Sequence, residues 1–301
     1  MPNSQTVLVS GASGLIGSAL VAHLRSRGDT VLRLVRGTGA PAPGTLRWNP
    51  QTGDMPGAGL DGVDVVVNLS GAPIGTRRWT SSYRTTIVES RTRTSHVLST
   101  WIAAQPEPPA LVQASAIGRY PDSGAVPLDE SAPVDDSFLG HVVETWESAA
   151  TPARRAGARV AFARTGIVLT PDGGAVPPLL RLLRLGLGGP MGPGHQLWSW
   201  ITMVDEIRAL THLIDSDVDG PANLVAPSPV SNAELTRALA RALGRPAAVR
   251  APAWGLRLAL DGFASELLSS RNVVPATLLG SGFTFEHPDL ASAIRWLIPP
   301  R

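Results

Sequence analysis

The stretch Thr6-Val7-Leu8-Val9-Ser10-Gly11-Ala12-Ser13-Gly14-Leu15-Ile16-Gly17 constrains this chain more than any other. Thr6 to Val9 is a short β-branched run closed by Ser-Gly, the pattern of a buried parallel strand. From Leu15 to about Arg27 the apolar residues Leu15, Ile16, Ala19, Leu20, Ala22 and Leu24 fall mostly on one helical face, and Gly28 closes the helix. Glycines 11, 14 and 17 stand between the strand and the helix body. In such a turn the first permits a tight bend, the second lets backbone approach a diphosphate, and the third lets helix and strand pack closely. The helix then offers unpaired N–H groups and its positive end to the phosphates. The stretch predicts a dinucleotide site contacted by Gly11, Ser13, Gly14, Leu15, Ile16 and Gly17.

Composition removes several chemistries. The 301 residues hold 26 basic and 24 acidic side chains, a net charge of +2, yet the isoelectric point is 9.8. Every basic residue is arginine, there is no cysteine, and only two tyrosines occur. Almost nothing titrates between neutrality and the arginine range, so a small positive excess persists to high pH. The arginines are scattered, which argues against a nucleic-acid partner. Without lysine there is no Walker-A lysine, no Schiff base and no lysine-assisted tyrosine. The histidines (23, 96, 141, 195, 212 and 287) lack ligand spacing, so no metal is expected. No basic, cleavable leader precedes the first strand and no apolar run reaches spanning length. The expectation is a cytoplasmic protein, monomer or homodimer, with no membrane partner.

Farther along, Thr30 to Val35 reads as a second strand ending at Arg36-Gly37. An acidic residue here would suit ribose hydroxyls, whereas an arginine suits a 2′-phosphate. Arg36 therefore points to NADP(H), a solvated strand-end arginine being the alternative. Leu46 to Asn49 is a short strand in a Gly/Pro-rich loop, and Trp48 either reaches an adenine or packs under that loop. Val63 to Leu69 is a strand ending in Asn68-Leu69-Ser70-Gly71, small residues that let a ligand lie near backbone at a strand's carboxyl end. A long helix from about Ser81 to Ala104, a strand from Ala110 to Ala116, a helix from Leu139 to Ala156 and a strand from Val160 to Leu169 follow. The Gly-rich segment 186–194 follows no strand-to-helix turn and reads as a substrate-side wall. Helices are expected at Val204–Ile214, from a capping box at Ser231-x-x-Glu234 through Leu243, and near 252–268 and 289–297.

Several motifs converge on one family. Gly11-x-x-Gly14-x-x-Gly17, Asn68-Leu69-Ser70-Gly71, Ser115 at its strand end, Arg164-Thr165-Gly166 and Ser199-Trp200-Ile201-x-Met203-Val204-Asp205-Glu206 resemble an extended short-chain dehydrogenase/reductase of the sugar-nucleotide epimerase type. Arg77-Arg78-Trp79, Arg184-Leu185-Gly186-Leu187-Gly188-Gly189-Pro190 and Asn232-Ala233-Glu234-Leu235 look like its YfcH-like branch, which carries a small C-terminal domain of unknown function. The resemblance implies an α/β fold: a doubly wound parallel sheet of the Rossmann type with a smaller C-terminal substrate-side lobe. Residues 1–169, completed by about 202–226, would form the NADP-binding domain. Residues 170–201 and 227–301 would form the lobe, with the family's C-terminal domain at about 250–298.

The resemblance also implies an NADP-type cofactor and an epimerase- or oxidoreductase-like activity on a small molecule. The superfamily's usual Tyr-x-x-x-Lys pair is absent: the helix runs Phe138-Leu139-Gly140-His141-Val142-Val143-Glu144-Thr145-Trp146-Glu147 where that pair is expected. Ser115 resembles the superfamily serine that hydrogen-bonds a substrate carbonyl or hydroxyl, and Tyr120 follows it closely enough to share a cleft. These two are the candidate catalytic residues, with strand-end and packing roles as alternatives. Arg78, Arg164 and Trp200 are candidate substrate contacts, a guanidinium suiting a carboxylate or phosphate. Arg164 serves equally as a partner for a buried acid such as Asp205 or Glu206. A non-catalytic NADP(H)-binding regulatory or scaffold protein is the rival reading.

Overall fold

The computed structural model describes residues 4–37, 42–58 and 60–299. Its first half alternates strands and helices: β1 (Thr6–Ser10), α1 (Leu15–Ser26), β2 (Thr30–Val35), β3 (Thr45–Arg47), β4 (Val65–Asn68), α2 (Ser81–Ala103), β5 (Ala110–Ala116), α3 (Phe138–Ser148), α4 (Thr151–Arg155) and β6 (Val160–Thr165). There follow β7 (Ile167–Leu169), α5 (Val176–Arg184), β8 (Leu197–Trp198), β9 (Trp200–Thr202), α6 (Met203–Asp215) and β10 (Gly220–Leu224). The chain ends with β11 (Val230–Ser231), α7 (Asn232–Ala242), α8 (Ala253–Leu260), α9 (Phe263–Leu268), α10 (Ala276–Gly280) and α11 (Leu290–Leu297).

Seven strands form one parallel sheet in the order β10-β6-β5-β4-β1-β2-β3. The order runs outward from β1 in both directions, so the crossover helices cover both faces, as in a doubly wound α/β fold. Strand alternation decides which residue faces which layer. Val7, Val9, Val65 and Val67 pack with α1 and α6, while Leu8, Val66, Leu111 and Phe162 pack with α2 and α4. A separate apolar cluster joins α5, α7 and α11 around Trp198 and Trp200 and forms the core of the smaller lobe.

Two expected elements are divided. The helix expected over 139–156 splits at Pro152, which stands in the first turn of α4 and cannot extend an incoming helical ladder. The strand expected over 160–169 breaks at Gly166, where a Cβ would lie 2.7 Å from the Ser199 carbonyl oxygen. β7 then leaves the main sheet and pairs in parallel with β9. The capping box forms: the Ser231 hydroxyl accepts from the Glu234 N–H and the Glu234 carboxylate accepts from the Ser231 N–H. Neither α10 nor its packing on β10 has a counterpart in the sequence reading.

Polar side chains bind the last fifty residues to the sheet. Asp205, fully buried at the start of α6, accepts the Glu286 and His287 N–H groups at 2.8 Å each and Arg208 at 2.9 Å. Ser199 donates to the Arg271 carbonyl at 2.8 Å and accepts the Val273 N–H at 2.8 Å. Glu130 accepts N–H groups from both Asn223 on β10 and Thr277 on α10. These bonds satisfy backbone groups that burial would otherwise leave unpaired.

Beside Asp205, Glu206 has no cation among the described residues. One of its oxygens accepts the Thr165 hydroxyl at 2.8 Å and the other has no partner. Burial pushes its carboxyl from the ordinary 4.5 up to about 8. The folded chain therefore keeps this proton up to about pH 8, whereas the unfolded chain releases it near 4.5. Folding stability falls as pH rises across that window and levels off above it. Glu206→Gln, which cannot titrate, should gain on the wild type between pH 5 and pH 8.5 in urea unfolding measured at each pH.

Candidate functional site

The carboxyl ends of the parallel strands gather most of the residues singled out from sequence. β1 ends at Gly11, whose φ of 72° lies in the left-handed region that glycine tolerates. A Cβ there would sit 2.6 Å from the Leu69 carbonyl, so the loop after β4 lies directly against the first turn. A Cβ at Gly17 would overlap the Gly11 carbonyl oxygen, which fixes how closely α1 approaches β1. α1 begins at Gly14 with no side-chain cap and no acidic residue in its first turn. Its leading N–H groups are thus open to an anion, and the tight cradle leaves backbone rather than side chains facing that space. Ser13 and Gly14 are exposed, Leu15 and Ile16 half-buried. These residues fit the diphosphate of a dinucleotide.

Arg36 is exposed at the end of β2, and the residues after Gly37 lie outside the described set until 42. Trp48 does not reach a ligand: it is 6% exposed and packs with Leu34, Leu98 and Ile102, because an indole at this strand end buries more apolar area under the loop. Asn68 is fully buried and all its side-chain capacity is used. It accepts from Ser10 at 2.6 Å and from the Ser70 N–H, and donates to Ser95 and Gln113. It shapes the loop of half-buried Leu69 and Ser70 and exposed Gly71 from beneath.

At the end of β5 the Ser115 hydroxyl donates to Glu147 Oε1 at 2.6 Å. Glu147, the penultimate residue of α3, is gripped in turn by Arg164: Nε to Oε1 at 2.8 Å and Nη2 to Oε2 at 2.9 Å. Arg164 also donates to the Tyr120 hydroxyl at 2.7 Å and the Glu130 carbonyl at 3.0 Å. With four of its five N–H groups bonded and 4% exposure, Arg164 is engaged in holding the Glu147 carboxylate. The acid it pairs with is Glu147, not Asp205 or Glu206.

Tyr120 is wholly buried. Its hydroxyl lies between Arg164 and Asn223, donating to Asn223 Oδ1 at 2.7 Å. Burial raises its pKa against the opposing pull of Arg164, so the phenol stays neutral and serves as a strut. Trp200 is equally buried, its N–H on the Ser228 carbonyl, in the core of the smaller lobe. Arg78 is exposed beside buried Trp79. His141 and His195 are exposed, His141 bonding the Ser137 carbonyl of its own helix.

Sequence reasoning did not single out Glu147 or Arg91. Glu147 was signalled by the Trp-Glu that replaces the expected Tyr/Lys pair. Arg91 is half-buried beside the stripe of α2 that carries Ile87, Thr94, Ser95, Leu98 and Ile102, a cation next to positions that periodicity marks for packing.

Tyr120→Phe tests the strut. Losing the hydroxyl leaves Asn223 Oδ1 and one Arg164 N–H without a partner in the core, which should cost about 2 kcal/mol in urea unfolding. A proton-donating tyrosine would instead show its loss in turnover with stability unchanged.

Comparison with known proteins places this geometry. Residues 7–225 match the NAD dependent epimerase/dehydratase family, and residues 251–297 match a domain of unknown function, DUF1731. An epimerase family protein of Mycobacterium bovis is 41% identical over 96% of both chains. The crystal structure of a human epimerase family protein, SDR39U1 isoform 2 with NADPH, superposes with a TM-score of 0.89 at 34% identity, covering 98% of this chain and 99% of that one. A nucleoside-diphosphate sugar epimerase structure from Corynebacterium glutamicum gives 0.81 at 34% identity, with 98% of this chain covering 58% of that longer one.

Proposed function

We propose, since the chain belongs to the NAD dependent epimerase/dehydratase family, that it is an NADP(H)-dependent epimerase- or oxidoreductase-like enzyme acting on a small molecule through a serine–glutamate pair. The glycine cradle with its uncapped helix supports the cofactor assignment, as does the NADPH in the human relative's crystal structure. Arg36, at the end of β2, is the group placed to distinguish a 2′-phosphate from a hydroxyl.

When bound, NADP(H) supplies a hydride donor or acceptor. The proton is left to the chain. The carrying observation is the 2.6 Å bond from Ser115 to a carboxylate that Arg164 fixes from the other side. With its own hydrogen committed to Glu147, the serine oxygen is an acceptor for a substrate hydroxyl. A proton leaving that hydroxyl passes to Ser115 Oγ as the serine's proton moves to Glu147, and the reverse path returns it. Arg164 holds the carboxylate in line for both directions. Tyr120 and Asn223 orient Arg164.

One observation favours a second reading, an NADP(H)-binding protein without turnover. The buried face of α3 presents Leu139, Val142 and Val143, so among the described residues no tyrosine sits on the helix expected to carry it. NADPH oxidation across panels of carbonyl compounds and sugar nucleotides separates the two. Turnover that falls at least a hundredfold in Ser115→Ala supports the enzyme. Tight NADPH binding with no turnover on any panel selects the second reading.

For the cofactor, wild type should bind NADPH more tightly than NADH. Arg36→Ala should lose about 1.5 kcal/mol, roughly tenfold, for NADPH alone. Equal wild-type affinities in a fluorescence titration would remove Arg36 from the site.

A further inference from the structure

Arg91 is a half-buried cation for which the described residues supply no carboxylate. It lies midway along α2 on the face turned inward, and the guanidinium rests against Gly71, where a Cβ would come within 3.2 Å of Cζ. Its other side meets Trp146, with Cζ 5.1 Å from the ring centroid. Among the described residues its hydrogen bond is to the Ile87 carbonyl of its own helix at 3.1 Å, and it enters no ion pair. The other buried arginines contrast sharply. Arg164 and Arg271 hold carboxylates, and Arg159 caps three carbonyl groups at the end of α6 and beyond.

The neighbourhood repeats the deficit. Trp146 is 5% exposed and its indole N–H has no partner among the described residues. Among the described residues buried Arg119 Nε has no partner, and Arg119 Nη1 stands 3.9 Å from a Glu147 oxygen that is already bonded to Arg164. Three guanidinium groups, Arg91, Arg119 and Arg164, thus lie around Gly71, Trp146 and Glu147, with Glu147 the carboxylate among them and Glu130 beyond Tyr120. The Arg271–Glu266 pair nearby adds no net charge. A guanidinium without a carboxylate, beside buried N–H groups that find no acceptor among the described residues, is poorly compensated by the fold and gains from a neighbouring oxyanion. Burial lowers the Arg91 pKa to about 10, the mark of a charge removed from water without compensation.

We propose that Arg91, stacked on Trp146 beneath Gly71, is an oxyanion-binding residue that receives a phosphate or carboxylate group of a bound ligand. The inference rests on the reading of this edge as a nucleotide and substrate site, and it adds that an anion belongs between the glycine turn and Ser115. The shared chemistry has two sources: the diphosphate of the dinucleotide, or an acidic group on the substrate. A guanidinium placed over an indole, with Cζ 5.1 Å from the ring centroid, meets such a group with little ordering left to do.

Calorimetric titration of wild type, Arg91→Gln and Arg91→Lys tests this, with NADPH as one probe and inorganic pyrophosphate as the other. Pyrophosphate is added both to the free protein and to protein saturated with NADPH. Folding of each variant is checked by circular dichroism and urea unfolding, where Arg91→Gln should match or exceed the wild-type midpoint because it relieves an uncompensated charge. If the anion is the cofactor's, NADPH affinity falls at least tenfold in Arg91→Gln, with partial recovery in Arg91→Lys. If it is the substrate's, NADPH affinity holds while pyrophosphate binding to the NADPH-saturated protein is lost. Unchanged affinity in both arms for folded Arg91→Gln overturns the proposal. Should Arg91→Gln not fold, wild-type protein that binds no pyrophosphate, together with wild-type NADPH affinity in Arg91→Lys, overturns it equally. Failure of wild type to bind NADPH would instead refute the cofactor reading, and the pyrophosphate titration of free protein would still decide the role of Arg91.

Discussion

One carboxylate, Glu147, organises the interior of the site. Removing an ionised group from water is costly unless charge and hydrogen bonds replace the lost hydration. Arg164 does so through two donors, and Ser115 adds a third bond. The requirement spreads outward. Arg164 must itself be fixed, so Tyr120 and the Glu130 carbonyl receive its remaining N–H groups, and Tyr120 must be fixed by Asn223. A strand end, two loops, a helix and the outermost strand of the sheet are thereby joined by bonds that depend on one another, which is how a polar network specifies a single arrangement.

How much of this was legible in the sequence follows from the distance over which each feature is decided. β1, α1 and the three glycines between them are local: strand period, helix period and a bend lie within twenty residues, and the structure forms them where the pattern indicates. The doubly wound sheet follows from alternating strands and helices with short connections. The roles of single polar and aromatic residues were less legible. Tyr120 has the chemistry of a proton donor, but its role is set by Asn223, 103 residues later. Trp200 reads as a cleft aromatic until the Ser228 carbonyl and the packing of α7 and α11 close around it. Trp48 could be assigned either way until the neighbouring helix was in place.

A different kind of omission concerns Glu147 and Arg91. Both sit on helices whose inward faces were anticipated, and both are charges on faces that periodicity marks as buried. A charge on a packed stripe is a local signal of a distant partner or of a ligand, though not of which. Glu147 found its partner within the chain. Among the described residues Arg91 did not, and that asymmetry separates a charge whose counter-ion the fold supplies from one that awaits a guest.

The anchoring of the C-terminal segment has a consequence for how the polypeptide can be divided. The portion matching the larger family ends at 225, a natural place to truncate. A fragment stopped there would strip Asp205 of the Glu286 and His287 amides and leave the Ser199 hydroxyl without the Arg271 and Val273 backbone. It would also free the Tyr120 carbonyl from Arg271 and uncover β10 where α10 rests. The nucleotide-binding half is therefore not autonomous. During synthesis its outer edge stays unfinished until residues 271–287 have been made.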